Sequence, residues 1–109
     1  MYDAILVGTD GSANANRAIV HALEHAEQYG ATLHGIFVVD TSRLDDPALG
    51  SGAIATNDVE DMGQQYLGDI EQRATDLGIP FVGRCCHGRP PEEIVRYADD
   101  IDAYVIGLA

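Results

Sequence analysis

The residues with most to offer chemically stand where apolar runs end. Gly8-Thr9-Asp10-Gly11-Ser12 follows the run Ala4-Ile5-Leu6-Val7, Val38-Val39-Asp40 closes a second run, and Gly107 closes a third. A carboxylate placed like Asp10, at the mouth of a strand, can bond a ribose, an adenine or a metal-held phosphate; it serves equally as a turn former satisfied by local backbone donors. Val38 is either a core side chain or a strand end whose backbone groups read the edge of a base. Gly107 is either a bare strand end or a point of close approach for a phosphate. The first loop precedes a helix start, whose free N–H groups favour anions, yet Gly8 and Gly11 also suffice to explain a tight strand-to-helix turn. It is not a P-loop, because G-x-x-x-x-G-K-[ST] needs a lysine and the chain has none. It is not G-x-G-x-x-G either, since Gly8 and Gly11 are three apart.

Other reactive side chains are not arranged for catalysis. Cys85 and Cys86 are adjacent, so in a strand they point to opposite faces and do not bridge each other. No zinc-type spacing of Cys and His is present. His21 and His25 share a helix face at i, i+4 but lack a third ligand, which reads as a surface pair. Ser12, Ser42 and Ser51 lack a G-x-S-x-G context. No catalytic residue and no metal ligand is assigned, and the expected activity is binding without turnover.

The elements that must carry these residues alternate. Residues 4–8 read as a strand covered on both faces, because they are continuously apolar over a short length. Ser12 caps a helix whose apolar positions Ala15, Ala18, Ile19, Ala22, Leu23 and Ala26 recur at helical spacing, and Gly30 stops it. Residues 32–39 form a second strand. Residues 41–57 show no usable period and read as a long connection, lid-like or partly helical. A second helix is predicted from Asp58 to Leu77, closed by Gly78 and Pro80. Residues 81–86, interrupted by Gly83 and Arg84, form a third strand near a sheet edge. Pro90, Pro91, Glu92 and Glu93 open a third helix, and residues 103–107 form a fourth strand. The pattern predicts an α/β fold, a doubly wound parallel sheet wrapped by helices. The chain ends directly after the fourth strand, so the expectation is an incomplete domain whose last helix and fifth strand lie beyond residue 109.

Composition narrows the partners. The 109 residues carry 18 acidic side chains against 6 arginines and no lysine, a formal charge of −12, with 46% hydrophobic residues. That hydrophobic share builds a core, and the length favours one domain. A strongly acidic chain repels nucleic acid and anionic membranes alike. No apolar run approaches the ~20 residues that cross a bilayer, and Met1-Tyr2-Asp3-Ala4 has no basic leader. A soluble cytoplasmic domain is expected. The acidity itself reads either as a docking surface for a basic partner or as a solvated coat suited to a high-salt cytoplasm. Asp used in place of Lys along the whole chain resembles haloarchaeal proteins, and the salt reading is preferred.

Residues 5–12 followed by an Ala-rich helix resemble the opening of the universal stress protein (UspA-like) family. Gly35-Ile36-Phe37-Val38-Val39-Asp40 resembles its second strand, Gly88-Arg89-Pro90 with Ile94 and Ala98 the start of its third helix, and Asp102-Ala103-Tyr104-Val105-Ile106-Gly107 its fourth strand. The resemblance spans the chain in order. It implies a Rossmann-like, adenine nucleotide alpha hydrolase-like fold with a five-stranded sheet, a homodimer, a role in stress response, and in many members ATP binding. It further implies Asp10 at the ribose with Thr9 beside it, adenine near Val38, and phosphate at Ile106 and Gly107. The family's phosphate signature is G-x-x-G, nine residues, then G-[ST], of which Gly107 alone falls within these residues. ATP is therefore expected for the complete domain, with Mg²⁺ left open, and weak or no ATP binding for this chain. Slow ATP hydrolysis is left open, with no residue here qualifying as its base. Two alternatives stand beside this reading. One is a dimerising member that binds no nucleotide and acts through protein contacts. The other is a flavodoxin-like phosphoacceptor domain, which needs acids after the third strand where Cys86-His87-Gly88 supplies none.

Overall fold

Strands and helices alternate along the chain in the expected order. The computed structural model describes residues 3–40 and 52–105. They form β1 (Ala4–Gly8), α1 (Ala13–Tyr29), β2 (Thr32–Asp40), α2 (Gly52–Asp76), β3 (Phe81–Gly88), α3 (Pro90–Ile101) and β4 (Tyr104–Val105). The four strands make one sheet in the order β3-β2-β1-β4, and every pairing is parallel. β1 aligns Ala4 with Thr32 on one side and Ile5 with Tyr104 on the other. It is thus central, which accounts for its unbroken apolarity.

Alternation along the strands splits the core into two layers. Ile5, Val7, Leu33, Phe37 and Val39 meet Ile19, Leu23 and Ala26 of α1 and Leu67, Ile70 and Ala74 of α2. Leu6 and Ile36 point the other way, onto Ile94 and Ala98 of α3. Cys85 packs with the first layer and Cys86 with the second, on opposite faces as expected. Leu6 and Leu33 are both 0% exposed, so truncating either would leave a cavity on its own side of the sheet.

Local chemistry sets the helix ends. Ser12 Oγ accepts the Ala15 N–H at 3.1 Å, and Gly30, in the left-handed region at φ 66°, closes α1 with its N–H on the Ala26 carbonyl. α3 starts with proline and Glu92 and Glu93 in its first turn, where acid suits the helix dipole. Its last turn has no basic residue. Asp99 and Asp100 stand there instead, against the dipole.

Two boundaries differ from the sequence expectation. α2 begins at Gly52 rather than at Asp58, so residues 52–57, which carry no apolar period but include the strong helix formers Ala53 and Ala55, are helical. β3 runs on to Gly88 rather than stopping at Cys86, because Val39 and Asp40 of β2 pair with His87 and Gly88. The edge position assigned to β3 holds. The lid-like reading of residues 41–51, and the strand expected over Ile106 and Gly107, lie outside the described residues. No helix of the described residues is long and apolar enough to cross a membrane.

On the α3 face, His34 Nδ1 and Tyr97 Oη share a hydrogen bond of 2.9 Å, and the Arg84 guanidinium lies 5.0 Å over the Tyr97 ring. Burial disfavours the imidazolium and pulls the His34 pKa below its ordinary value of 6.5. The unfolded chain then takes up this proton more readily than the folded one. His34's contribution is complete above pH 6.5 and is lost as pH falls below it toward the folded-state value. His34→Gln is expected to flatten the loss of stability between about pH 7.5 and about pH 5.5, read from urea midpoints. Equal slopes in both proteins would remove His34 from the pH response.

Candidate functional site

The winding direction of the sheet reverses at β1. The chain moves from β1 through β2 to β3 on one side, then returns to place β4 on the other side of β1. In open parallel sheets such a switch point opens a crevice at the carboxyl ends of the strands. The loop Thr9–Ser12 leaves β1 at that point.

The loop is held by its own polar atoms. Thr9 extends the β1–β2 pairing with its N–H on the Ile36 carbonyl at 3.0 Å. Thr9 Oγ1 accepts the Gly11 N–H at 3.2 Å, and Asp10 Oδ1 accepts the Ser12 N–H at 2.8 Å. The Ser12 hydroxyl, and next its backbone N–H, hold the Asp10 carboxyl below the usual carboxylate range. Asp10 is therefore an ionised, exposed acceptor at the mouth of the sheet. Gly11 adopts φ +79°, which a side chain makes costly. A Cβ there would come within 2.7 Å of Tyr66 Cε2 and closer still to Cζ and the hydroxyl.

Three of the five expected site residues, Thr9, Asp10 and Val38, fall within the described residues. Asp10 and Thr9 part company: Asp10 is exposed, whereas Thr9 is buried at 7% exposure, with its hydroxyl turned into the loop. Val38 is half-buried near the carboxyl end of β2, against the α3-side core. β4 lies beside β1 in parallel, with Leu6 opposite Val105. Ile106 and Gly107 fall outside the described residues, just past that pairing. β1 and β2 run parallel, so Asp10 and Val38 lie toward the same end of the sheet.

Three residues around the loop escaped sequence reasoning. Tyr66 and Asp69 of α2 and Asn16 of α1 join Thr9, Gly11 and Ser12 around an open cleft of about 100 Å³. Arg73 Nη1 donates to Asn16 Oδ1 at 3.0 Å and ties α2 to α1 beside it. Tyr66 was legible only as an apolar helix position; its ring sits 6.0 Å from Phe37 and covers Gly11. The loop carries no cationic side chain. Among the described residues, no group of three or more His, Cys, Asp or Glu is placed to hold a metal ion.

These features define a doubly wound, Rossmann-like α/β domain with a polar rim at its switch point. The profile of the Universal stress protein family matches residues 1–108, and the chain belongs to that family. The universal stress protein MJ0531 of Methanocaldococcus jannaschii is 31% identical over 107 residues, covering 97% of this chain and 63% of that protein. The chain thus spans less than two thirds of that relative. A universal stress protein family structure from Burkholderia pseudomallei matches 94% of this chain and 76% of its own, at TM-score 0.83 and 31% identity. A universal stress protein solved in complex with cAMP matches 94% of this chain and 68% of its own, at TM-score 0.65 and 24% identity.

Proposed function

We propose that this chain is the nucleotide-binding part of a stress-response protein, taking the adenosine end of an adenine nucleotide at the crevice between β1 and β4. The observation that carries the reading is Asp10: an ionised, exposed carboxylate held at the switch point of a parallel sheet. Such a group accepts from ribose hydroxyls and repels phosphates, so it suits the neutral end of the ligand. Val38 at the end of β2 would flank the base, and Thr9 would brace the loop from below. Ile106 and Gly107, which follow β4 in the sequence, would approach the phosphates. The similar protein solved with cAMP supports a ligand of this class. The protein acts by binding, without turnover, as a cytoplasmic homodimer, and its acidic surface suits a high-salt interior of haloarchaeal type.

Gly107 is the one signature glycine within these residues, so ATP should bind the 109-residue chain weakly, with a Kd of roughly millimolar order. Submicromolar affinity in calorimetry would overturn that expectation. Asp10→Asn keeps the acceptor for the Ser12 N–H and removes the charge. It should weaken adenosine binding about tenfold, the worth of a charged hydrogen bond over a neutral one. Unchanged affinity in Asp10→Asn would take Asp10 out of the site.

A further inference from the structure

The outer edge of β3 is open among the described residues. Nothing among them pairs with it, and it runs for 8 residues, Phe81–Gly88, without proline or lysine. Sheet edges that must stay unpaired are ordinarily shortened, bulged or studded with charge. Here the one arginine of the strand, Arg84, is drawn aside over the Tyr97 ring. The Leu33 N–H donates to the Pro80 carbonyl at 2.8 Å. In a parallel pair only alternate residues face the neighbour, so the even-numbered residues of β3 serve β2. The N–H and C=O groups of Phe81, Gly83, Cys85 and His87 therefore face outward.

The two flanks of this edge differ in chemistry. On the α2 side an open cleft of about 210 Å³ is lined by Gln64, Leu67, Gly68 and Glu71 of α2 and by Phe81 and Gly83 of β3. A Cβ at Gly68 would meet nothing within 4 Å. On the α3 side, Val82 is 44% exposed beside Arg84. We infer that the β3 edge receives an extended segment of a basic partner protein, which adds a strand there and alternates long cationic side chains with aliphatic ones. The cationic set would lay its stems along Phe81 and over Gly68 and bring its heads to Glu71. The aliphatic set would cover Val82, where Arg84 disfavours a second cation. Charge complementarity selects this occupant: the chain is at −12, and a second copy would bring the same charge and an identical Glu71 rim.

The test is fluorescence anisotropy of the 109-residue chain with a labelled peptide of alternating arginine and valine as long as β3, at the lowest KCl concentration that keeps the chain folded. A glutamate–valine peptide is the control. Gly83→Pro removes one outward N–H and leaves the β2 pairing intact, since proline is tolerated on an edge. Glu71→Gln removes the cleft charge without touching the backbone. The arginine peptide should bind at least about tenfold tighter than the glutamate peptide; Gly83→Pro should abolish that binding and Glu71→Gln should weaken it several-fold. Circular dichroism establishes that each variant is folded, and if Gly83→Pro unfolds, Glu71→Gln decides alone. No binding of the arginine peptide, or equal binding by wild type and both folded variants, would overturn the proposal. Self-association dissolved by Gly83→Pro would also overturn it and assign the edge to a second copy. Neither result bears on the adenosine crevice, which lies at the other side of β2.

Discussion

Gly11→Ala is expected to lower the melting temperature by roughly 10–25 °C, a loss of about 2–5 kcal/mol. Two costs combine. A side chain at φ +79° sits in the left-handed region, which disfavours L-residues by about 1–2 kcal/mol. The added methyl also overlaps the far end of the Tyr66 ring, and relieving such overlap typically costs about 1–3 kcal/mol. Only the second cost depends on Tyr66. In a Tyr66→Ala background the same substitution should therefore cost about 1–3 kcal/mol less, a coupling that a double-mutant cycle reads from urea midpoints. A Gly11→Ala protein with an unchanged melt would show that the loop relaxes freely. An identical cost in both backgrounds would dissociate Tyr66 from the loop.

Moving the protein from about 3 M to about 0.1 M KCl should lower its melting temperature by ~10 °C or more, as the Debye length grows from a few Å to about 10 Å. The placement of charge explains why. Among the described residues, Glu60, Glu92 and Glu93 stand within 4 Å of His87, Arg89 and Arg96; the Arg89–Glu92 pair is largely exposed, and so is the arginine of the Arg96–Glu93 pair. Such pairs contribute little. Asp99 and Asp100 oppose the dipole at the end of α3, and α2 exposes Asp61, Asp69, Glu71 and Asp76 with Arg73 as the basic residue of its last turn. Salt screens this repulsion and restores the margin. Thermal melts by circular dichroism across a KCl series check it, with sucrose at matched osmolality separating screening from exclusion effects. A flat melting temperature would discard the high-salt reading of the acidic surface.

Where local chemistry decides, the structure was readable in advance. α1 carries its period, its Ser12 cap and its Gly30 stop in plain view, and β1 announces its central position by apolarity alone. Gly83 and Arg84 marked β3 as an edge. The start of α2 was hidden because residues 52–57 show no apolar face, and Gly52, Thr56 and Asn57 are weak helix formers beside Ala53 and Ala55. The extension of β3 depends on finding Val39 and Asp40 alongside, a non-local fact. The loop was half legible. Asp10, Gly11 and Ser12 read as turn and cap, whereas the burial of Thr9 follows from the strand's alternation carrying on past Gly8. Tyr66 could not be placed, since nothing in its helix reveals that its ring meets a loop more than fifty residues earlier.

The adenosine crevice is tested most directly by an NMR titration of the isotopically labelled chain with adenosine, which detects even millimolar association. Shifts confined to the amides of Thr9, Asp10, Gly11 and Val38 and to the carboxyl end of β4 are the predicted result. No saturable shifts, or shifts gathered at the amino ends of the strands, would contradict it.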